Sequence, residues 1–206
     1  MIYPQQNKFI RWFFHHYILN LVQRNFQSVN FNGVDVDNDK SILLLANHFS
    51  WWDGFLMYYV NQKVFNKRYH VMVIEETMRE VVFFKYIGAF SVNKNSRDIL
   101  KSLDYAAELL KDPRNLVLIF PQGKLYSNFT DDINFEKGLQ KITEAAAGKY
   151  QLMQVATFIE SLQYKKPTVN VYLAKADDGL YDLTTMQQNY QQHYLNAKAQ
   201  QIKITV

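Results

Sequence analysis

Two side chains suited to proton transfer lie close together early in the chain. Residues 47–54 read NHFSWWDG, which places His48 and Asp53 five positions apart just after an apolar run. A histidine accepts a proton near neutral pH, and a carboxylate that fixes its tautomer makes it a better base. We therefore expect His48 to act as a general base oriented by Asp53. The spacing also fits a histidine in a turn, with Asp53 as the N-cap of the next helix.

A second polar segment, 120–124, reads FPQGK and follows another apolar run. Pro121 and Gly123 predict a tight loop in which backbone N–H groups approach a ligand, although an ordinary turn has the same composition. Such N–H groups near Gly123 are candidates for stabilising an oxyanion. Ser50 and Ser127 lie near these segments, but neither has the Gly-x-Ser-x-Gly surroundings of a nucleophile elbow, so no acyl-enzyme is expected.

Short apolar runs alternate with segments of helical periodicity. The strand-like runs cover 41–46, 70–74, 90–92, 116–120, 154–159 and 168–173, and the helical patterns cover 53–65, 78–86, 99–110, 135–150 and 183–201. This alternation predicts an α/β fold, a single domain over 1–206 with a largely parallel mixed sheet flanked by helices. Functional residues of such folds collect at the carboxyl ends of strands, where both polar segments fall.

Composition excludes several kinds of site and partner. The chain has no cysteine, so disulfides, thiolate catalysis and cysteine-based metal sites are ruled out. The five histidines are scattered apart from the adjacent His15 and His16, which point in different directions on a helix, so no metal is expected. The net charge of +4 comes without a run of Lys and Arg, so no nucleic-acid partner is expected.

The N-terminal segment predicts an amphipathic helix over about 8–26. Its apolar residues are flanked by Lys8, Arg11 and Arg24, and no part of the chain reaches the roughly 18 uninterrupted apolar residues of a membrane-spanning helix. Such a helix either lies in the headgroup region of a membrane or packs on the rest of the domain, and one face can do each. In the first case the inserted side chains are Trp12, Phe13 and Phe14.

The two polar segments, in this order, resemble signatures of the 1-acylglycerol-3-phosphate acyltransferase (PlsC-like) family, in the glycerolphosphate acyltransferase superfamily. Residues 47–53 match its Asn-His, four residues, Asp signature, and 120–125 resemble its Phe-Pro-Glu-Gly-Thr-Arg block. Residues 88–94, 135–138 and 155–158 resemble further blocks, so the likeness covers about 42–159.

The resemblance implies an O-acyltransferase of phospholipid biosynthesis. Such an enzyme moves a fatty acyl group from acyl-CoA or acyl-ACP to a hydroxyl of a lysophospholipid-like acceptor, without a cofactor, as a peripheral protein on the cytoplasmic side of a membrane. His48 and Asp53 would be catalytic, and an apolar slot near Trp51, Trp52, Phe55 and 81–84 would take the acyl chain. The implied substrate-binding residues are Asn47, Lys94, Pro121, Gln122, Gly123 and Lys124.

Three positions depart from the family pattern. Gln122 replaces a Glu, Lys94 replaces an Arg, and Leu125 stands where the third block has Arg. The family's two arginines are thought to hold the phosphate of the acceptor, and neither an ammonium nor an apolar group reproduces a bidentate guanidinium. Two alternatives therefore stay open: an acceptor without a phosphate, such as a lyso-aminolipid or glycolipid, and a lipid-binding protein of this fold without activity.

Overall fold

A seven-stranded sheet forms the centre of the computed structural model, which describes residues 1–93, 98–177, 179 and 182–206. The strands are β1 (Ser28–Phe31), β2 (Ser41–Ala46), β3 (Arg68–Ile74), β4 (Ala89–Val92), β5 (Asn115–Ile119), β6 (Tyr150–Glu160) and β7 (Thr168–Lys175). Their order is β1-β7-β6-β2-β5-β3-β4. Within the described ranges every neighbouring pair is parallel except β6 and β7.

Strands β2 and β5 lie side by side at the centre, and every residue of both is buried. Each begins with a polar residue, Ser41 or Asn115, and is apolar thereafter, as is typical of strands covered on both faces. Leu44 pairs with Leu118 across the two strands. Because the strands run in the same direction, the residues after Ala46 and after Ile119 emerge at one edge of the sheet, which brings the two polar segments together.

Helices cover both faces of the sheet. They are α1 (Lys8–Asn25), α2 (Asp53–Val60, continued by a π-helical turn, Asn61–Phe65), α3 (Glu75–Glu80), a 3-10 helix (Val82–Ile87), α4 (Ile99–Leu109), α5 (Gly138–Ala145) and α6 (Leu183–Gln201). Helices α1 and α2 bury Ile18, Val22 and Leu56 on one face. Helices α4, α5 and α6 bury Leu103, Ile142 and Tyr190 on the other. The predicted α/β fold with an N-terminal helix is confirmed.

Helix α1 packs through one side and exposes the other. Ile18 and Val22 are fully buried, whereas Phe9, Trp12 and Phe13 are 74%, 57% and 50% exposed. The side chain of Asn7 caps the first turn by accepting from two backbone N–H groups. In the described part of the chain, no helix combines the length and apolarity needed to cross a bilayer.

Several element boundaries differ from those predicted. Strand β1 was not expected, because its four residues, Ser-Val-Asn-Phe, form no continuous apolar run; β7 supplies its pairing. The predicted helix over 135–150 begins only at Gly138, since the N–H of Phe135 donates to the side chain of Gln187. The predicted helix over 78–86 is divided at Val81, which leaves helical geometry at φ −108°, ψ 74°.

Candidate active site

His48 and Asp53 meet at the carboxyl end of the sheet. The Nδ1 of His48 donates to Oδ2 of Asp53 over 2.8 Å, since an ionised carboxylate only accepts. The side chain of His48 is 25% exposed and that of Asp53 is 3% exposed. The predicted contact is therefore present. It leaves Nε2 of His48 without a protein partner among the described residues.

The turn between β2 and α2 holds the carboxylate of Asp53. Its Oδ2 also accepts from the backbone N–H groups of Phe49 and Ser50, at 2.8 and 2.9 Å. These donors precede Asp53 in the chain, and Asp53 itself is the first residue of α2 rather than its N-cap. The alternative in which Asp53 serves as an N-cap is not what the structure has; the carboxylate is fixed by the turn that carries His48.

The segment after β5 supports His48 from the other side. The ring of Phe120 stacks on the imidazole with centroids 4.1 Å apart and planes 16° from parallel. Oε1 of Gln122 accepts from the backbone N–H of His48 over 2.7 Å, and the N–H of Tyr126 donates to the carbonyl of His48 over 2.9 Å. Gln122 is 3% exposed. It therefore positions the histidine, and it does not line the cavity beside His48, where a substrate-binding residue was expected.

The loop at Gly123 differs from expectation in its hydrogen bonds. Gly123 adopts φ +66°, a left-handed conformation that favours glycine. Its own N–H donates to the carbonyl of Phe120 over 3.0 Å, which closes the turn and removes this group as an oxyanion donor. The backbone N–H groups of Lys124 and Leu125 have no acceptor within the described residues. They are two of the groups in this loop that remain able to bind a developing oxyanion.

Asn47 also has a positioning contact instead of a place in the cavity. Its side-chain amide donates to the carbonyl of Thr157 over 3.0 Å and accepts from the N–H of Thr157 over 2.8 Å. Asn47 is 4% exposed. This pair of bonds joins the end of β2 to β6, and Asn47 does not line the cavity beside His48, where a substrate-binding residue was expected.

An apolar cavity of about 420 Å³ opens beside His48. It extends among the helices and the ends of β3, β4 and β5, and Pro121 and Gly123 line it as predicted. Trp51, Phe55 and Phe84 of the predicted acyl slot also line it. Most of its wall was not predicted, because it comes from distant elements: Val71, Val73, Ile74, Ile87, Val92, Leu103, Leu139 and Ile142.

Four members of the predicted slot do not line the cavity: Trp52, Val81, Val82 and Phe83. Trp52 packs edge-on against Phe26 of the segment after α1, with ring centroids 5.0 Å apart. Val82 is 55% exposed.

Tyr69 lies in the cavity wall and donates its hydroxyl to the carbonyl of Gly54 over 2.8 Å. Burial raises the pKa of Tyr69 well above its usual value, so the phenol stays neutral.

Of the two cations expected around an acceptor, the structure describes Lys124 alone. Lys94 lies outside the described residues. Lys124 is exposed, with its ammonium 5.2 Å from the ring centroid of Tyr126, and does not line the cavity. Leu125 and Glu136 do line it. Among the described lining residues, Glu136 is the one with a carboxylate, and none carries a Lys or Arg side chain.

Helix α6 holds the loop that follows this segment. The N–H groups of Ile133 and Phe135 donate to the side chains of Gln191 and Gln187, at 2.9 and 3.1 Å. The ammonium of Lys198 donates to Oδ1 of Asp131 over 2.6 Å. The loop returns to the cavity at Glu136, whose N–H donates to the carbonyl of Pro121. The polar helix at the end of the chain thereby supports one wall of the site.

Comparison with known proteins places this geometry in context. Residues 28–159 match the profile of the family described as Acyltransferase, which is more than half of the chain. A search of curated proteins finds no significant match. The match covers both polar segments and the strands that carry them.

The fold is also found in a solved structure. The crystal structure of the 1-acyl-sn-glycerophosphate (LPA) acyltransferase PlsC from Thermotoga maritima superposes with a TM-score of 0.69. The two sequences are 16% identical, and the match covers 95% of this chain and 83% of that one. At this identity the likeness confirms the fold.

Proposed function

Because the chain belongs to the Acyltransferase family, we propose that it transfers a fatty acyl group from an acyl thioester to a hydroxyl of a lysophospholipid-like acceptor. The observation that carries this proposal is the His48–Asp53 pair at the mouth of an apolar cavity. A base with an oriented ring lies where a hydroxyl can enter, and the cavity beside it suits an acyl chain. These are the two requirements of acyl transfer between lipids.

In the proposed reaction His48 acts as the base. Its Nε2 takes the proton of the acceptor hydroxyl while the hydroxyl oxygen bonds to the thioester carbonyl carbon. The carbon–sulfur bond then breaks, and the leaving thiolate receives the proton from His48. Asp53 keeps the proton on Nδ1 and stabilises the imidazolium between the two transfers. No acyl-enzyme or cofactor enters this sequence.

The tetrahedral intermediate carries a negative oxygen that needs hydrogen-bond donors. We assign this role to the backbone N–H groups of Lys124 and Leu125, which follow the turn closed by Gly123. They lie in the loop that contacts His48 through Gln122, so the base and the donors are held by one arrangement of hydrogen bonds. The donor thioester is acyl-CoA or acyl-ACP.

The cavity wall favours a second candidate for the acceptor, a lysolipid whose head group lacks a phosphate. Leu125 lines the cavity at the position where the family pattern has Arg. A guanidinium at this position would hold a phosphate through two hydrogen bonds, and an apolar side chain cannot replace it. A lyso-aminolipid therefore fits this wall better than lysophosphatidic acid does.

A membrane surface is the proposed place of reaction, because acceptor and product both reside in a bilayer. Helix α1 presents exposed Phe9, Trp12, Phe13 and Tyr17 on one side, as a helix lying in the interface does. Phe14, which was predicted to insert, is stacked on Phe83 with centroids 4.5 Å apart. We infer a peripheral enzyme attached through the exposed aromatic stripe of Phe9, Trp12, Phe13 and Tyr17.

The acceptor is identified by assay of the purified protein. Isotope-labelled acyl-CoA and acyl-ACP are offered with a panel of lysolipids that differ only in head group, and the products are read by mass spectrometry. We expect an acylated lysolipid, with the lyso-aminolipid ahead of lysophosphatidic acid. The variant Leu125→Arg should shift this preference toward the phosphate, and the exposed Leu162→Arg is the matched control. Absence of product with every acceptor would contradict the proposed function.

A further inference from the structure

A second cavity lies at the opposite edge of the sheet from His48. It has a volume of about 370 Å³ and is bordered by the start of α1, by Tyr58 of α2, by the π-helical turn and by the start of β3. Arg68 begins β3, and His48 follows the end of β2, which runs in the same direction. The two cavities are therefore separate, and acyl transfer does not use the second one.

Four basic side chains line this second cavity: Lys8, Arg11, Lys67 and Arg68. None of its described lining residues is acidic. Within the described part of the chain, neither Lys8 nor Arg11 forms an ion pair. Arg68 lies 3.8 Å from Asp112, and that carboxylate is already bound at 2.7 Å by Arg114. The cavity thus has an excess of positive charge that its own walls do not neutralise.

Neighbouring groups hold the cavity in shape. The ammonium of Lys67 donates to the carbonyls of Asn38, Lys40 and Pro113, at 2.9, 3.1 and 2.7 Å. Nδ1 of His15 lies 3.0 Å from the hydroxyl of Tyr58. The pKa of His15 is lowered by burial and by the positive charges of His16 and Arg11. The charge of Arg11 thus lowers the pKa of a side chain that lines the same cavity.

The cavity borders the exposed aromatic stripe of α1. Trp12 belongs to both: it lines the cavity, and its ring contacts Phe9 at a centroid distance of 6.1 Å. A ligand in the cavity therefore has basic groups on one side and an apolar surface on the other. A lipid with an anionic head group can contact both, the basic groups through its phosphate and the apolar surface through its acyl chains. A free anion can contact the basic groups only.

We propose that the second cavity binds the head-group phosphate of an anionic phospholipid, with Arg11 and Arg68 at the phosphate and Trp12 beside the start of the acyl chains. This rests in part on the proposed attachment of α1 to a membrane. It gives that attachment a lipid preference: the protein resides where anionic lipid is present, independently of the acceptor in the active site.

Vesicle binding tests the site with a charge-matched control. Phosphatidylcholine vesicles are compared with vesicles that also contain phosphatidylglycerol. The variant R11Q/R68Q should bind the anionic vesicles about tenfold more weakly and the neutral ones as the parent does. The control K165Q/K166Q removes two exposed charges between β6 and β7 and should bind as the parent does. Acyl transfer in detergent should be the same in all three proteins, so a failed acyl-transfer assay would not bear on this site.

Equal losses in the two double variants, or equal binding of the parent to both vesicles, would overturn the proposal. A second measurement does not require a membrane. Monomeric dihexanoyl-phosphatidylglycerol is titrated into the protein while the imidazole resonances of His15 are followed by NMR. Saturable binding that R11Q/R68Q loses supports the site. No saturation, or equally tight binding of inorganic phosphate, contradicts it, whether or not the parent binds vesicles.

Discussion

Asp53 directs one carboxylate oxygen to three donors, His48 Nδ1 and the N–H groups of Phe49 and Ser50. The same contacts that fix the ring of His48 therefore also fix the turn that carries it. The side chain of Asp53 is almost fully buried, so its orientation is imposed by its surroundings. A conservative substitution of Asp53 can remove the charge of this side chain while leaving an oxygen that still accepts hydrogen bonds.

The substitution Asp53→Asn tests the orienting role. An amide oxygen can still accept from the turn, but an Asn no longer stabilises an imidazolium, and its NH₂ group favours the wrong tautomer of His48. We expect kcat to fall by about 10³- to 10⁴-fold with an unchanged melting temperature. The exposed Asp39→Asn is the control. A loss of only a few-fold would show that the carboxylate is structural.

His70 predicts how stability depends on pH. Burial lowers its pKa from 6.5 to about 4. The unfolded chain therefore binds a proton in this pH range that the folded chain does not, so stability is full above pH 6.5 and falls as the pH drops toward 4. The loss attributable to His70 is up to about 3 kcal/mol. Urea unfolding at several pH values should show a flatter profile for His70→Gln than for the control His16→Gln.

Sequence reasoning found the residues whose partners are local. His48 and Asp53 lie on one turn, so their spacing predicts their contact. Gln122 and Asn47 were expected to bind substrate, yet they bond to residues 74 and 110 positions away. Such contacts depend on which strands become neighbours, and the type of residue does not reveal them. The sequence already showed an apolar Leu125 in place of an Arg, but it did not show that Lys124 lies outside the cavity wall.

At the scale of elements, the turn into β4 depends on one glycine. Gly88 adopts φ +99°, and a Cβ at this position would lie 2.0 Å from the carbonyl oxygen of Tyr69. The substitution Gly88→Ala therefore strains the backbone and pushes β4 from β3. We expect a loss of more than about 2 kcal/mol in the free energy of unfolding. Gly33→Ala, where a Cβ meets nothing within 4 Å, is the control; equal losses would contradict this account.

We expect helix α6 to affect acceptor binding through the loop that it holds, although no hydrogen bond joins it to His48 within the described residues. Gln187 and Gln191 accept from Phe135 and Ile133 in the loop that reaches the cavity. Replacement of both by Ala should loosen the loop, so that proteases cleave the loop faster. It should also raise KM for the acceptor several-fold, while kcat changes less. Gln188 and Gln192, exposed on the same helix, give the matched double variant. The same kinetics in both double variants would exclude this role.

Some element boundaries follow the periodicity of the sequence, and others are set by contacts between distant elements. Strand β2 and helix α6 begin and end where periodicity predicts. Strand β1 is only four residues long, with no continuous apolar run, and it forms because it pairs with the edge of β7. Residues 135–137 have helical composition but precede α5, because the N–H of Phe135 bonds to Gln187 of α6.

At the scale of the whole molecule, the exposed stripe of α1 predicts membrane binding. Trp12 and Phe13 are exposed, so changing both to Ser should leave the fold intact and abolish vesicle binding. Phe14→Ser is the contrasting variant, since this side chain stacks on Phe83 and its loss should lower the melting temperature. Unfolding of the double variant, or unchanged vesicle binding, would contradict attachment through this stripe.

One measurement tests most directly whether His48 is the base of acyl transfer beside the cavity. Labelled acyl thioester and the preferred lysolipid are mixed with parent, His48→Ala and His16→Ala proteins, and acylated lipid and free thiol are quantified together. The account predicts equal amounts of lipid product and thiol from the parent and from His16→Ala, and none above background from His48→Ala. Product formed by His48→Ala at the parent rate would contradict it.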